Sequence, residues 1–176
     1  MTGAGGSVGP ELRTRRVELS PFAREDASAL LELFREPGMR RYLLDDALVD
    51  RTWIEGEIEA STLRFRESGA GLWALRFHGK PDIVGFAGFR PFFDPPRLQL
   101  LYGLAPGARG HGVATEVAGL LCRHGLDVLG LGTIEAAVDV PNRRSVAVLE
   151  RLGMTAERTT DDGPAGTVFY RLEPAA

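Results

Sequence analysis

A chain of 176 residues with 44% apolar and 26% charged residues can bury a core without metal or disulfide staples, and a formal charge of −3 gives no basic field for gripping nucleic acid. One cysteine, Cys122, excludes a disulfide framework and fits a reducing compartment, and with three scattered histidines it leaves no ligand set for structural zinc. Among the 21 basic residues only Lys80 is lysine, which biased base composition or guanidinium recognition of phosphate and carboxylate would each explain.

In chain order, residues 1–10 read as a flexible tail, rich in glycine and without the basic start and apolar core of a targeting signal. Residues 11–176 are expected to form one domain. No apolar run approaches the ~18 residues of a membrane span, so no membrane is expected and the cytoplasm is the default compartment. Leu12 to Leu19 reads as a first strand with imperfect alternation. Ser20-Pro21 then opens a helix with the stripe Leu30, Leu31, Leu33 and Phe34, which Pro37-Gly38 should stop. A second helix is expected from Asp50 to Ser68, with Trp53, Ile54, Ile58 and Phe65 on one side.

The period then changes. Leu72–His78, Ile83–Arg90 and Arg97–Leu104 read as a three-stranded meander, with turns at Gly79–Asp82 and Phe93–Pro96. Gly85 and Gly88 inside a strand signal a bulge or a close backbone approach. Gly112 to Leu129 reads as a helix, Thr133–Asp139 as a strand and Asn142–Leu152 as a helix closed by Gly153. Strands at Met154–Thr159 and Thr167–Leu172 flank a turn at Asp161–Pro164. A meander followed by β-α-β-α-β-β implies an α/β fold of the mixed α+β kind, with a mixed sheet and helices on both faces.

The chemistry concentrates where the strand ending at Leu104 runs through Gly107, Gly110 and Gly112 into an amphipathic helix. The first amides of that helix have no intrahelical acceptor, and its dipole adds roughly half a positive charge. Glycines there admit a close anion, so the segment suits a pyrophosphate, although a tight glycine turn has the same composition. The Gly-x-Gly-x-x-Gly pattern after a first strand and the lysine of a P-loop are both missing.

Arg109-Gly-His-Gly-Val-Ala114 resembles the Arg/Gln-x-x-Gly-x-Gly/Ala signature of the GCN5-related N-acetyltransferase (GNAT) family. Val138-Asp-Val-Pro-Asn-Arg-Arg-Ser-Val-Ala-Val-Leu-Glu-Arg-Leu-Gly-Met154 resembles the Asn-x-x-Ser to Leu-Gly-Phe block of the branch holding the ribosomal-protein N-terminal acetyltransferases. The segment from Val17 to Leu30 is similar to that branch's first strand and helix. The similarity runs from about residue 12 to 172.

The resemblance implies a mostly antiparallel sheet with splayed fourth and fifth strands, and acetyl-coenzyme A as co-substrate lying between them. Backbone groups near Gly103 and Leu104 would then pair with pantetheine. The amides of Arg109, Gly110, His111, Gly112, Val113 and Ala114 would hold the pyrophosphate. Asn142 would bind pantetheine or a water, or serve only as a helix N-cap. Ser145 would help the thiolate leave, or be an ordinary helix serine. Leu149 stands where many relatives carry a proton-donating tyrosine. Gln99 stands where related enzymes often carry a glutamate base.

Glutamine takes no proton. Presenting a lysine-like amine uncharged at neutral pH costs about 4.6 kcal/mol, against about 1 kcal/mol for an α-amine. The acceptor is therefore expected to be an α-amine, an arylamine or another weakly basic amine, on a small molecule or a protein N-terminus. His78, Asp94, Glu135 and Asp139 are further candidates for the base. A homodimer is expected by analogy only. The alternative is a non-catalytic acyl-coenzyme A binding or interaction protein with a degenerate acceptor site.

Overall fold

A computed structural model of the chain describes residues 8–161 and 165–174. Within them, eight strands form one sheet: β1 (Leu12–Arg13), β2 (Val17–Pro21), β3 (Leu72–Phe77), β4 (Gly85–Phe92), β5 (Arg97–Leu104), β6 (Ile134–Asp139), β7 (Thr155–Thr160) and β8 (Thr167–Leu172). Their spatial order is β1-β2-β3-β4-β5-β6-β8-β7, and every pair is antiparallel except β5 with β6. Five α-helices cover the sheet: α1 (Ala27–Arg35), α2 (Pro37–Leu43), α3 (Arg51–Ser68), α4 (Val113–Arg123) and α5 (Arg143–Arg151).

Strand alternation divides the apolar side chains between two cores. Trp73, Leu75, Phe89, Leu100, Ile134 and Val138 pack with Val117 and Leu121 of α4 and Leu149 of α5. Leu72, Ala74 and Phe86 pack with Leu30 and Phe34 of α1, Met39 of α2 and Ile54 and Ile58 of α3. The helices thus lie on both faces, with α1–α3 on one and α4–α5 on the other. Gly85 and Gly88 mark close backbone approaches: a Cβ at Gly85 would meet the Gly103 carbonyl, and one at Gly88 the Gly71 carbonyl.

Three local readings change. The expected first strand is a hairpin in which Leu12 pairs with Leu19. Thr14 turns the chain, since its Oγ1 accepts from the Arg16 and Val17 amides at 3.3 and 3.0 Å. The imperfect alternation was the trace of that turn, because Leu12 and Val17 are an odd number of residues apart. Pro37 starts a helix rather than only ending one. It is a first-turn residue of α2, where a proline forfeits no hydrogen bond, and the Glu36 carboxylate caps the Met39 amide at 2.8 Å. Likewise Ser20-Pro21 belongs to β2, and α1 follows a single 3-10 turn at Arg24–Asp26.

Val8 packs against the larger core, and the Pro10 carbonyl accepts a hydrogen bond from Trp73 Nε1 at 2.8 Å. The rest of the expected tail, residues 1–7, and Asp162–Pro164 of the expected last turn lie outside the described residues.

Candidate active site

Because the first strand is split, the expected fourth and fifth strands are β5 and β6. They pair at a single position, Gln99 with Glu135, and part beyond it. The β4–β5 register tells which backbone groups face the opening. Ala105 donates to the Val84 carbonyl at 2.8 Å, so hydrogen-bonded pairs recur every two residues and include Phe86 with Gly103. The alternate residues of β5, Tyr102 and Leu104, turn their N–H and C=O groups toward β6. Gly103, by contrast, has its backbone committed to β4, a correction to its expected role. Past Gln99 the Tyr102 N–H is the first on β5 that faces the gap with no strand opposite.

Parallel strands carry their C-terminal ends to one edge, so the connections that follow β5 and β6 meet beside the gap. After β5 comes the glycine loop. Gly110 and Gly112 have φ of 80° and 76°, a left-handed backbone that bulkier residues adopt at a cost of about 1–2 kcal/mol. Gly112 is the N-cap of α4, which begins at Val113. The loop is pinned from a distance. Arg16 Nη1 donates to the His111 carbonyl at 2.6 Å, and Arg16 Nε to Glu116 in the first turn of α4 at 2.8 Å. The His111 side chain is exposed.

Arg109 holds the loop rather than facing a ligand with its side chain. Its N–H donates to the Pro106 carbonyl, its Nε to the Leu104 carbonyl at 2.9 Å, and its Nη2 to Glu36 at 2.6 Å. Burial works against the Glu36 charge, but hydrogen bonds from the Gly38 amide, Arg109 and the Met39 amide outweigh it and hold that carboxyl below its ordinary value.

After β6 comes α5. Asn142 is its N-cap, with Oδ1 accepting from the Ser145 amide at 3.3 Å. The Tyr102 hydroxyl donates to the Ser145 carbonyl at 3.3 Å and ties β5 to α5 across the gap. Burial raises that phenol above its ordinary value and keeps it protonated. Arg143 and Arg144 are exposed.

At the closed end of the gap, Gln99 is only 3% exposed and donates through Nε2 to Glu135 at 3.0 Å. Arg97 also pairs with Glu135. Sequence reading missed this trio, because two of its members sit on β5 and the third 36 residues away on β6. Both Glu135 oxygens are thereby engaged, one by Arg97 and one by Gln99. His78 lies far from the gap, on the β3–β4 turn, with its ring nitrogens at 3.2 Å from Glu18 and 3.0 Å from the Thr14 carbonyl. His124 is buried with its ring perpendicular to that of Trp73.

The α4 terminus therefore offers amide donors to an anion. The β5 edge offers a donor and acceptor row to an extended amide chain. A family model for the acetyltransferase (GNAT) domain matches residues 16–155. The chain belongs to the GNAT family. It is an acyltransferase of the acetyltransferase kind. It is 24% identical over 149 residues to the uncharacterized N-acetyltransferase YoaA of Bacillus subtilis, covering 84% of each protein. A solved acetyltransferase from Agrobacterium tumefaciens superposes with a TM-score of 0.80 at 26% identity, over 94% of this chain and 95% of that one. The structure of RimL, a ribosomal alpha-N-protein acetyltransferase in complex with coenzyme A, also reaches 0.80, over 93% of this chain and 98% of its own, at 14% identity, a likeness of fold. Among the described residues no helix is long and apolar enough to cross a membrane.

Proposed function

We propose that this GNAT protein moves an acetyl group from acetyl-coenzyme A to a weakly basic amine, either a small molecule or a protein N-terminus, by direct attack on the thioester. The observation that carries the reading is the gap between β5 and β6 with the left-handed Gly110 and Gly112 at its mouth. A Cβ at Gly110 would meet open space, so the bare backbone there leaves room for a pyrophosphate. Acetyl-coenzyme A supplies an activated acyl carbon when bound.

The chain's own residues do the rest. The amides from Gly110 to Ala114 hold the pyrophosphate at the helix terminus. The outward Tyr102 carbonyl and Leu104 N–H pair with the pantetheine. The Tyr102 N–H polarises the thioester carbonyl as negative charge develops on its oxygen. Ser145 and Asn142 border the departing sulfur, with Ser145 offering its hydroxyl proton. Gln99 holds Glu135 and keeps the closed end of the gap in register. Gln99 takes no proton, and any carboxylate is a far weaker base than an ε-amine, so amines that are already partly neutral at pH 7 are favoured.

Calorimetric titration of acetyl-coenzyme A, beside coenzyme A and longer acyl esters, tests the donor. Micromolar binding is expected. Gly112→Val forces a β-branched residue to φ 76° and should weaken binding by roughly tenfold or more, the equivalent of about 1.4 kcal/mol. Thiol release with glycine amide, a tripeptide with a free N-terminal serine, aniline and Nα-acetyl-lysine tests the acceptor. A clear win for the ε-amine of Nα-acetyl-lysine would overturn the weak-base reading, and no turnover over the whole panel would overturn acetyl transfer to amines.

A further inference from the structure

The gap has two sides, and one carboxylate stands on the side opposite α4. Gln99 and Glu135 are register partners whose side chains touch, so they share a sheet face. The period of two puts Leu101 and Gly103 of β5, and Ala137 and Asp139 of β6, on that same face. It is the α1–α3 face, because Leu101 packs in that core and a Cβ at Gly103 would run into Met39 of α2. Continued pairing would set Gly103 level with Asp139. The strands part instead, and Asp139 is left half-buried across the gap from the outward Tyr102 N–H.

The surroundings of Asp139 make it proton-seeking. Burial raises its carboxyl above the ordinary value, and the Asp45 carboxylate raises it further. Asp45 is held at φ 49° in the turn after α2, while Arg40 of that helix lies 3.7 Å from the neighbouring Asp46. On β6 the same face carries Glu135, already paired with Arg97. The β8 partner is Thr167, and α5 opens with the exposed Arg143 and Arg144, neither of which pairs with Asp139. Among the described residues no cation pairs with Asp139.

We infer that Asp139 is the proton acceptor for the incoming amine. The inference rests on the acetyl transfer proposed above. The Asp139 carboxylate takes one proton from the bound ammonium. The freed nitrogen pair forms the C–N bond at the thioester carbonyl carbon while the C–S bond breaks. The second proton leaves the nitrogen for the Ser145 hydroxyl as that hydroxyl gives its own proton to the departing thiolate, and Asp139 returns its proton to solvent.

The test is the pH profile of thiol release with the fastest amine of the panel, beside acetyl-coenzyme A affinity by calorimetry. Asp139→Asn should lower kcat on the order of 100-fold and abolish the acid limb, with acetyl-coenzyme A affinity unchanged. Asp139→Glu should restore part of kcat with an acid limb. An Asp139→Asn enzyme with wild-type kcat and limb overturns this inference alone. A wild-type enzyme that releases no thiol from any amine overturns the transfer reading and this inference with it.

Discussion

Glu36 shows how one side chain serves fold and site together. It caps α2, takes the Arg109 guanidinium at 2.6 Å, and so fastens the glycine loop to the helix that overlies β5. Both side chains are about three-quarters covered, so the pair is not an exposed one of negligible worth. Glu36→Gln keeps the shape and removes the charge. It should cost about 1–2 kcal/mol at pH 7, or roughly 2–8 °C in Tm. A folded-state carboxyl held below 4.5 stabilises fully above the unfolded value, and that stabilisation is lost as pH falls through the folded value. The difference between wild type and variant should therefore shrink in acid. Urea unfolding at pH 7 and well below 4.5 measures it, and an equal loss at both would contradict the charge-based account.

The element that decides the shape of the gap is β5. Its register with β4 sends the Gly103 backbone one way and the Tyr102 and Leu104 backbones the other. Gly103 is glycine for its side-chain position, since a Cβ would collide with the Met39 thioether. Gly103→Ala should cost about 1–3 kcal/mol through overpacking. Met39→Val in the same chain should recover part of that loss. Denaturant midpoints around this double-mutant cycle check it, and strict additivity of the two changes would show that the residues do not meet.

Over the whole molecule, β5 and β6 share one bridge, yet each is braced by helices on its own connection. A ligand lying between them replaces the missing ladder. Acetyl-coenzyme A at 100 times its Kd should add about 2.7 kcal/mol and raise Tm by roughly 5–11 °C. Hydrogen exchange locates the effect. The Tyr102 and Leu104 amides should slow on binding, whereas the Gly103 amide, already paired with Phe86, should be slow in both states. Equal protection gains at all three amides would refute the register argument.

The sequence alone determined most of the elements and the place of the loop, because helix stripes, strand alternation and glycine punctuation are local patterns. Arg109 to Ala114 and Asn142 to Met154 identified the fold by resemblance. Local pattern misled at Leu12–Leu19, where a threonine turn hid inside a strand-like run, and at Pro37, which starts helices as readily as it stops them. Only the tertiary structure could decide contacts between distant residues. It turned Arg109 toward Glu36, brought Arg16 onto the His111 carbonyl, paired Glu135 with Arg97 and Gln99, and parted β5 from β6 beside Asp139. Hydrogen bonds and charge interactions act through space over a few ångströms. No local periodicity records which side chains folding will bring that close.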